Sequence, residues 1–213
     1  MQTLGIAAAV AVGSAHIVAR YRGASTLAGI LKAIPILLLV LLVAAEPAPV
    51  SDAYRWLVAG ALVFSMAGDI FLVFPGRFQA GLASFLMAHV LYVVAFAPPT
   101  GTTGASFLVL LPFVAFAGVM LAILWPHLGR DRAPVVVYVT VITLMGWRAA
   151  LRALDPATPS PSDTLALAGA LSFMASDGVL AYDRFVRGFA LAPAIIMTTY
   201  YTAQVLIALS VGR

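Results

Sequence analysis

Asp69 and Asp177 are the residues of this sequence that point most directly to chemistry, because each lies within a long apolar run. A carboxyl group at membrane depth is costly to maintain and usually marks function. Lys32 shares this setting, as do His89, Tyr92, Tyr138, Tyr200, Tyr201 and Gln204. Their spacing places them on common helix faces. Gly81, Phe85, His89 and Tyr92 follow steps of four, four and three. Ser65 and Asp69, Phe173 and Asp177, and Tyr200 and Gln204 are each four apart. Two carboxyl groups with a lysine, a histidine and tyrosines suit proton transfer to a neutral or weakly polar bond. In a shared dry cavity, two carboxyl groups can divide the roles of acid and base.

Bland readings compete with this one. Lys32 and Asp69 could be a structural ion pair, or Lys32 could reach to the lipid headgroups. His89, the tyrosines and Gln204 are also the residue types that hydrogen-bond between helices. His16 and His127 fall near helix ends, where no specific role is expected. Glu46, Asp52, Asp131, Asp155, Asp163 and Asp183 are expected in solvated loops.

The elements that must hold these residues follow from composition. Hydrophobic residues make up 63% of the chain and charged residues 9%, against roughly 25% charged in a soluble domain. Mean hydropathy is +1.06. Only helices or closed barrels satisfy their backbone groups in a bilayer, and continuous runs of spanning length favour helices. Eight helices are predicted: Thr3–Ala19, Leu27–Ala45, Ala53–Phe74, Phe78–Ala97, Ala105–Trp125, Ala133–Leu151, Thr164–Tyr182 and Phe189–Val211. Breaks fall where proline, glycine and charge gather, as at Glu46–Pro49, Pro75–Arg77, Pro98–Pro99, Gly129–Arg132 and Asp155–Pro161. The expected fold is an all-α membrane protein of about eight spans, a single polytopic domain over residues 1–213. The first apolar segment, with no basic residue before it, reads as a spanning helix rather than a cleaved signal peptide.

Eight of the twelve Lys and Arg residues fall at one end of these helices: Arg20, Arg22, Lys32, Arg77, Arg130, Arg132, Arg184 and Arg187. Arg55, Arg148, Arg152 and Arg213 fall at the other. The richer end is expected in the cytoplasm, which places both termini on the opposite side. On this reading Asp69, Asp177, Lys32 and Tyr138 form one layer inside the cytoplasmic boundary. His89, Tyr92, Tyr200, Tyr201 and Gln204 lie deeper, and together the set is expected to line one cavity. Met66-Ala67-Gly68-Asp69 echoes Met174-Ala175-Ser176-Asp177, hinting at a parallel repeat of four helices, though a match this short can arise by chance.

Some chemistries are excluded or unsupported. The chain has no cysteine, so thiol nucleophiles, disulfides and thiolate metal sites are ruled out. No G-x-S-x-G or H-E-x-x-H motif occurs. The net charge of +4 lies in loops and reads as a topology signal, not a nucleic-acid surface. On residues alone, proton-transfer chemistry on a neutral or weakly polar bond of an amphiphile stays open beside proton-coupled transport or lipid binding.

At these residues the sequence resembles the YhhN family of lysoplasmalogenases over nearly its whole length. The resemblance rests on Lys32-x-x-Pro35, Gly68-Asp69 with Leu72, and the Gly81, Phe85, His89, Tyr92 string. It continues with Tyr138 and Met145, Gly169 through Phe173 followed by Ser176-Asp177, and Tyr200-Tyr201-x-Ala203-Gln204. One position departs: the resemblance would make the helix 2 lysine and proline adjacent, and here Ala33 and Ile34 separate them. The resemblance implies hydrolysis of the vinyl ether bond of a lysoplasmalogen to a fatty aldehyde and glycerophosphoethanolamine or glycerophosphocholine. It implies a lysophospholipid substrate drawn from the bilayer, no metal or other cofactor, and Asp69 and Asp177 as the catalytic pair.

Overall fold

The computed structural model describes residues 2–22, 25–97, 106–155 and 160–212. The break predicted at Pro98–Pro99, most of the one at Asp155–Pro161, and Arg213 lie outside the described residues. Eight α-helices follow in order: α1 Gln2–Tyr21, α2 Ser25–Ala44, α3 Asp52–Val73, α4 Phe78–Ala95, α5 Ser106–Leu124, α6 Arg132–Ala153, α7 Pro161–Phe185 and α8 Ala192–Leu209. Two short 3-10 turns, Trp125–His127 and Gly129–Asp131, carry the chain from α5 into α6. Among the described residues, seven helical stretches are long and apolar enough to span a bilayer, and α2 adds the apolar run Leu31–Ala44. The chain is a multi-pass helical membrane protein, as its composition requires.

Local signals explain the helix ends. Ser51 caps α3 by accepting a hydrogen bond from the Tyr54 amide, and Ser160 caps α7 from its position before Pro161. Gly76, with φ at +78°, turns the chain between α3 and α4, a conformation that a side chain would strain. The α3–α4 approach is close. A Cβ on Gly68 would stand 2.7 Å from the Phe85 ring, and one on Gly81 2.7 Å from Leu72. Ser84 donates a 2.6 Å hydrogen bond to the Phe64 carbonyl across the same seam. Small residues matter in such interfaces because apolar side chains gain little by leaving lipid for one another.

One buried cluster draws on all eight helices, including Ala9, Ile36, Leu62, Phe85, Phe113, Met145, Phe173 and Ile207. Large apolar side chains on the outside, such as Leu4, Phe107, Leu108 and Leu111, face the surroundings. A water-exposed shell of that kind would be unstable, whereas lipid solvates it.

Two expectations need correction. Asp163 is not a solvated loop residue. It lies in the first turn of α7, 5% exposed, and forms an ion pair with Arg152 Nε. Arg152 also packs over the Tyr54 ring at 4.2 Å and reaches Ser162 Oγ at 3.2 Å. Ser162 donates to the Ser210 carbonyl at 2.5 Å, and the Tyr54 and Ser210 hydroxyls share a 2.7 Å hydrogen bond. Arg152 is therefore a buried tie among helices and not a surface charge. His16 is likewise not idle. It is 3% exposed, and its Nδ1 lies 3.0 Å from the Tyr201 hydroxyl.

Candidate active site

Asp69 sits on the inward face of α3, 2% exposed. Its two oxygens have different partners. Oδ1 lies 3.2 Å from Lys32 Nζ, and Oδ2 accepts a 2.6 Å hydrogen bond from the Tyr200 hydroxyl. Lys32 enters from α2 and Tyr200 from α8, so three helices meet at one carboxylate. The two intervening residues between Lys32 and Pro35 do not keep the lysine from its aspartate.

Asp177, from α7, has a different environment. Its Oδ2 accepts a 2.5 Å hydrogen bond from Tyr138 of α6. His89 of α4 aims Nε2 at the same oxygen from 3.7 Å, beyond direct hydrogen-bonding distance. Among the described residues no lysine or arginine pairs with Asp177. Each aspartate thus has a tyrosine donor, but one has a cation and the other a histidine.

Aromatic rings fix these groups. His89 packs edge-on against Tyr138 and Phe173, with centroids at 5.2 and 4.6 Å. Tyr200 packs edge-on against Phe85 and Phe173, at 5.9 and 5.5 Å. Phe173 is one turn before Asp177 on α7 and fully buried, so it braces the partners of both aspartates. Such rigid support is what a preorganised site requires.

Both aspartates line one cavity of about 480 Å³. Lys32, Tyr200, Phe85 and Ser176 share its walls, and Arg20, Asp183 and Arg184 stand where it is lined by helix ends. The cavity opens at the arginine-rich end of the bundle, between the end of α3, the start of α4 and the end of α7. Phe78 lies at this mouth, with Phe185 edge-on at 5.9 Å and the Arg184 guanidinium 4.8 Å from its ring centroid.

Of the deeper residues only Tyr200 lines this cavity, contrary to expectation, and Tyr138 borders a smaller neighbouring hollow instead. Tyr92 and Gln204 are fully buried and bond to each other, Tyr92 donating to Gln204 Oε1 at 2.8 Å. His89 is also fully enclosed. Tyr201 turns toward α1 and α2, with its hydroxyl 3.2 Å from the Lys32 carbonyl as well as near His16. Of these side chains, His89 faces Asp177 and Tyr201 holds the Lys32 backbone, so they act on the aspartates and their partners from outside the cavity. The physical reason is helix geometry: steps of three and four share a face but do not say which neighbouring helix that face meets. Arg20 and Arg184, which the sequence marks as topology charges and, as loop arginines, as candidate cations for a phosphate headgroup beside Lys32, both line the cavity. Among the described residues no cluster of three His, Asp or Glu side chains could hold a metal ion.

No solved structure matches the chain. The chain is similar to lysoplasmalogenase TMEM86B of Homo sapiens, 37% identical over 191 residues, which covers 89% of this chain and 77% of that protein. It is 41% identical over 154 residues to lysoplasmalogenase TMEM86A of Bos taurus, covering 70% of this chain and 62% of the relative. To the lysoplasmalogenase of Mycobacterium tuberculosis it is 36% identical over 178 residues, covering 79% and 65%. The model of the YhhN family matches residues 27–211, a stretch that contains both aspartates and every partner described for them, and the chain belongs to that family.

Proposed function

We propose that this protein is a lysoplasmalogenase, an enzyme that hydrolyses the vinyl ether bond of a lysoplasmalogen to a fatty aldehyde and a glycerophospho-alcohol. The observation that carries the reading is the unequal pairing of two aspartates on one cavity. A vinyl ether is opened by adding a proton to its outer alkene carbon. That step leaves an oxocarbenium ion on the carbon bonded to oxygen. Water adds there and gives up a proton, and the resulting hemiacetal collapses to aldehyde and alcohol. One water is consumed and the catalytic proton is returned.

Such a reaction needs one protonated acid and one ionised carboxylate in the same site. Asp69, held against Lys32, has the environment of the ionised group. It stabilises the developing positive charge and orients water. Asp177, with no Lys or Arg partner among the described residues and a wall of apolar side chains, has the environment of the proton donor. Tyr200 and Tyr138 fix the two carboxyl groups in place by donating to one oxygen of each.

The substrate fits the setting. A single-chain lipid enters with its phosphate at the interface and its ether bond deeper. Lys32 is engaged with Asp69, which leaves Arg20 and Arg184 at the cavity to receive the phosphate. The name shared by the similar proteins supports the same reaction.

The test is a product assay on purified protein. Lysoplasmenyl-ethanolamine should yield aldehyde, and the ester-linked analogue should yield no fatty acid. Fatty acid release without aldehyde would replace the reading with another lipid hydrolase. Neither product, with the lipid still bound, would favour a transporter or lipid-binding protein.

A further inference from the structure

Beside the large cavity lies a smaller hollow of about 60 Å³, lined by α4, α5, α6 and α7 and by Leu72 of α3. Leu72, Phe78, Phe85, Asp177 and Leu180 line both. Apart from Asp177 and Tyr138, every side chain around the smaller hollow is apolar. Asp177 therefore stands at a boundary, with arginines and a lysine on one side of it and hydrocarbon walls on the other.

We infer that the hollow receives the substrate's hydrocarbon chain as it leaves the reacting bond, and that Gly178 and Met120, in its walls, set the length of chain accepted. The inference rests on the hydrolase reading and adds the path of the chain. An amphiphile whose reacting bond lies between a phosphate and a hydrocarbon must extend both ways from the acid. The large cavity supplies the polar direction, and this hollow supplies the apolar one. A cleft of about 230 Å³ between α1, α2 and α8 is larger, but neither aspartate lines it. A chain lying there could not keep its first carbons beside Asp177.

Gly178 follows Asp177 and faces α5. A Cβ at that position would lie 3.1 Å from Met120 Sδ and 3.5 Å from the Phe116 ring. A larger side chain there projects into the α5 wall of the hollow. Met120 and Met174 line it with unbranched thioethers, which change rotamer easily and let the hollow deepen as a chain enters.

The experiment compares wild type, Gly178→Val and Met120→Ala on lysoplasmenyl-ethanolamines of short, medium and long alkenyl chain. Burying a methylene changes kcat/KM by about fourfold. Gly178→Val should shift the long-to-short ratio of kcat/KM toward short chains by on the order of tenfold, as two methylenes lose their place. Met120→Ala should shift it toward long chains, and this variant carries the test if valine at 178 prevents folding. An unchanged ratio in the folded variants would overturn the inference. A second arm needs no turnover: a lysophosphatidylethanolamine carrying a diazirine near the start of its chain is photolysed on the wild-type protein. Labelling of α5 and α6 around Met120 and Val139 is expected, and labelling confined to α1, α2 and α8 would overturn the placement. If wild type releases no aldehyde from any chain, the hydrolase reading fails, and the label alone decides the hollow.

Discussion

At the scale of the residue, the two aspartates differ by what sits against them, and that difference makes them separable by mutation. Asp69→Asn keeps the shape but removes the charge that faces Lys32. Asp177→Asn removes the proposed proton donor while Tyr138 can still hydrogen-bond to the amide oxygen. Each should lower aldehyde release by about 10²–10⁴-fold while the protein still inserts in the membrane, read by a product assay on equal amounts of folded protein. Full activity in either would remove that aspartate from the mechanism. Lys32→Met should do more damage than loss of a binding cation. It leaves Asp69 buried without its partner, a change that costs about 3–5 kcal/mol in buried pairs. A lower melting temperature and loss of turnover are expected together. Tyr138→Phe and Tyr200→Phe delete one hydroxyl each without removing the ring packing against His89 or Phe173. A fall in kcat of roughly tenfold, with KM nearly unchanged, is expected from losing one net hydrogen bond that positions a reacting carboxyl group.

At the scale of the element, the helices are tied at both ends by different means. At the site end, Asp69 joins α2, α3 and α8, and Asp177 joins α6 and α7. At the far end, Arg152, Asp163, Ser162, Ser210 and Tyr54 join α3, α6, α7 and α8. No residue of that second network lines the cavity. Asp163→Ala leaves a buried guanidinium without its carboxylate, and a loss of about 3–5 kcal/mol is expected. Thermal unfolding in detergent should show the loss, while the protein that remains folded should keep its KM. A changed KM with unchanged stability would mean that the network acts on the substrate and not on the helices. The close α3–α4 seam is equally specific. Gly68→Leu must displace the Phe85 ring, which itself packs against Tyr200, so both stability and turnover should fall.

At the scale of the whole molecule, the distribution of charge between the two ends of the bundle decides how it sits in the bilayer. The excess of Arg and Lys at the site end predicts that the cavity opens to the cytoplasm. Burial of Arg152 removes one charge from the opposite side and strengthens the asymmetry. The chain has no native cysteine, so single cysteines can report the orientation without background. A cysteine placed at Arg130 should be shielded from a membrane-impermeant maleimide in intact cells, and one placed at Glu46 should react. The reverse pattern would turn the molecule over and put the cavity on the outer face.

The sequence by itself determined that the chain crosses a membrane as helices, roughly where each begins and ends, and which few polar groups lie at depth. Those facts follow from apolar run length, from proline, glycine and charge at the breaks, and from the cost of burying an ionisable group. Periodicity also placed Asp69 and Asp177 on inward faces, and the family resemblance singled out the pair. Only the tertiary structure decided that Lys32 belongs to Asp69, that His89 and Tyr138 belong to Asp177, and that Tyr92 and Gln204 bond to each other beneath them. It also turned Asp163 from a loop residue into half of a buried pair. The reason is that helix periodicity fixes a direction relative to one axis, whereas partners depend on which helices pack together and at what angle. In a bundle held by close packing of small residues and aromatic rings, that arrangement is a property of all eight helices at once.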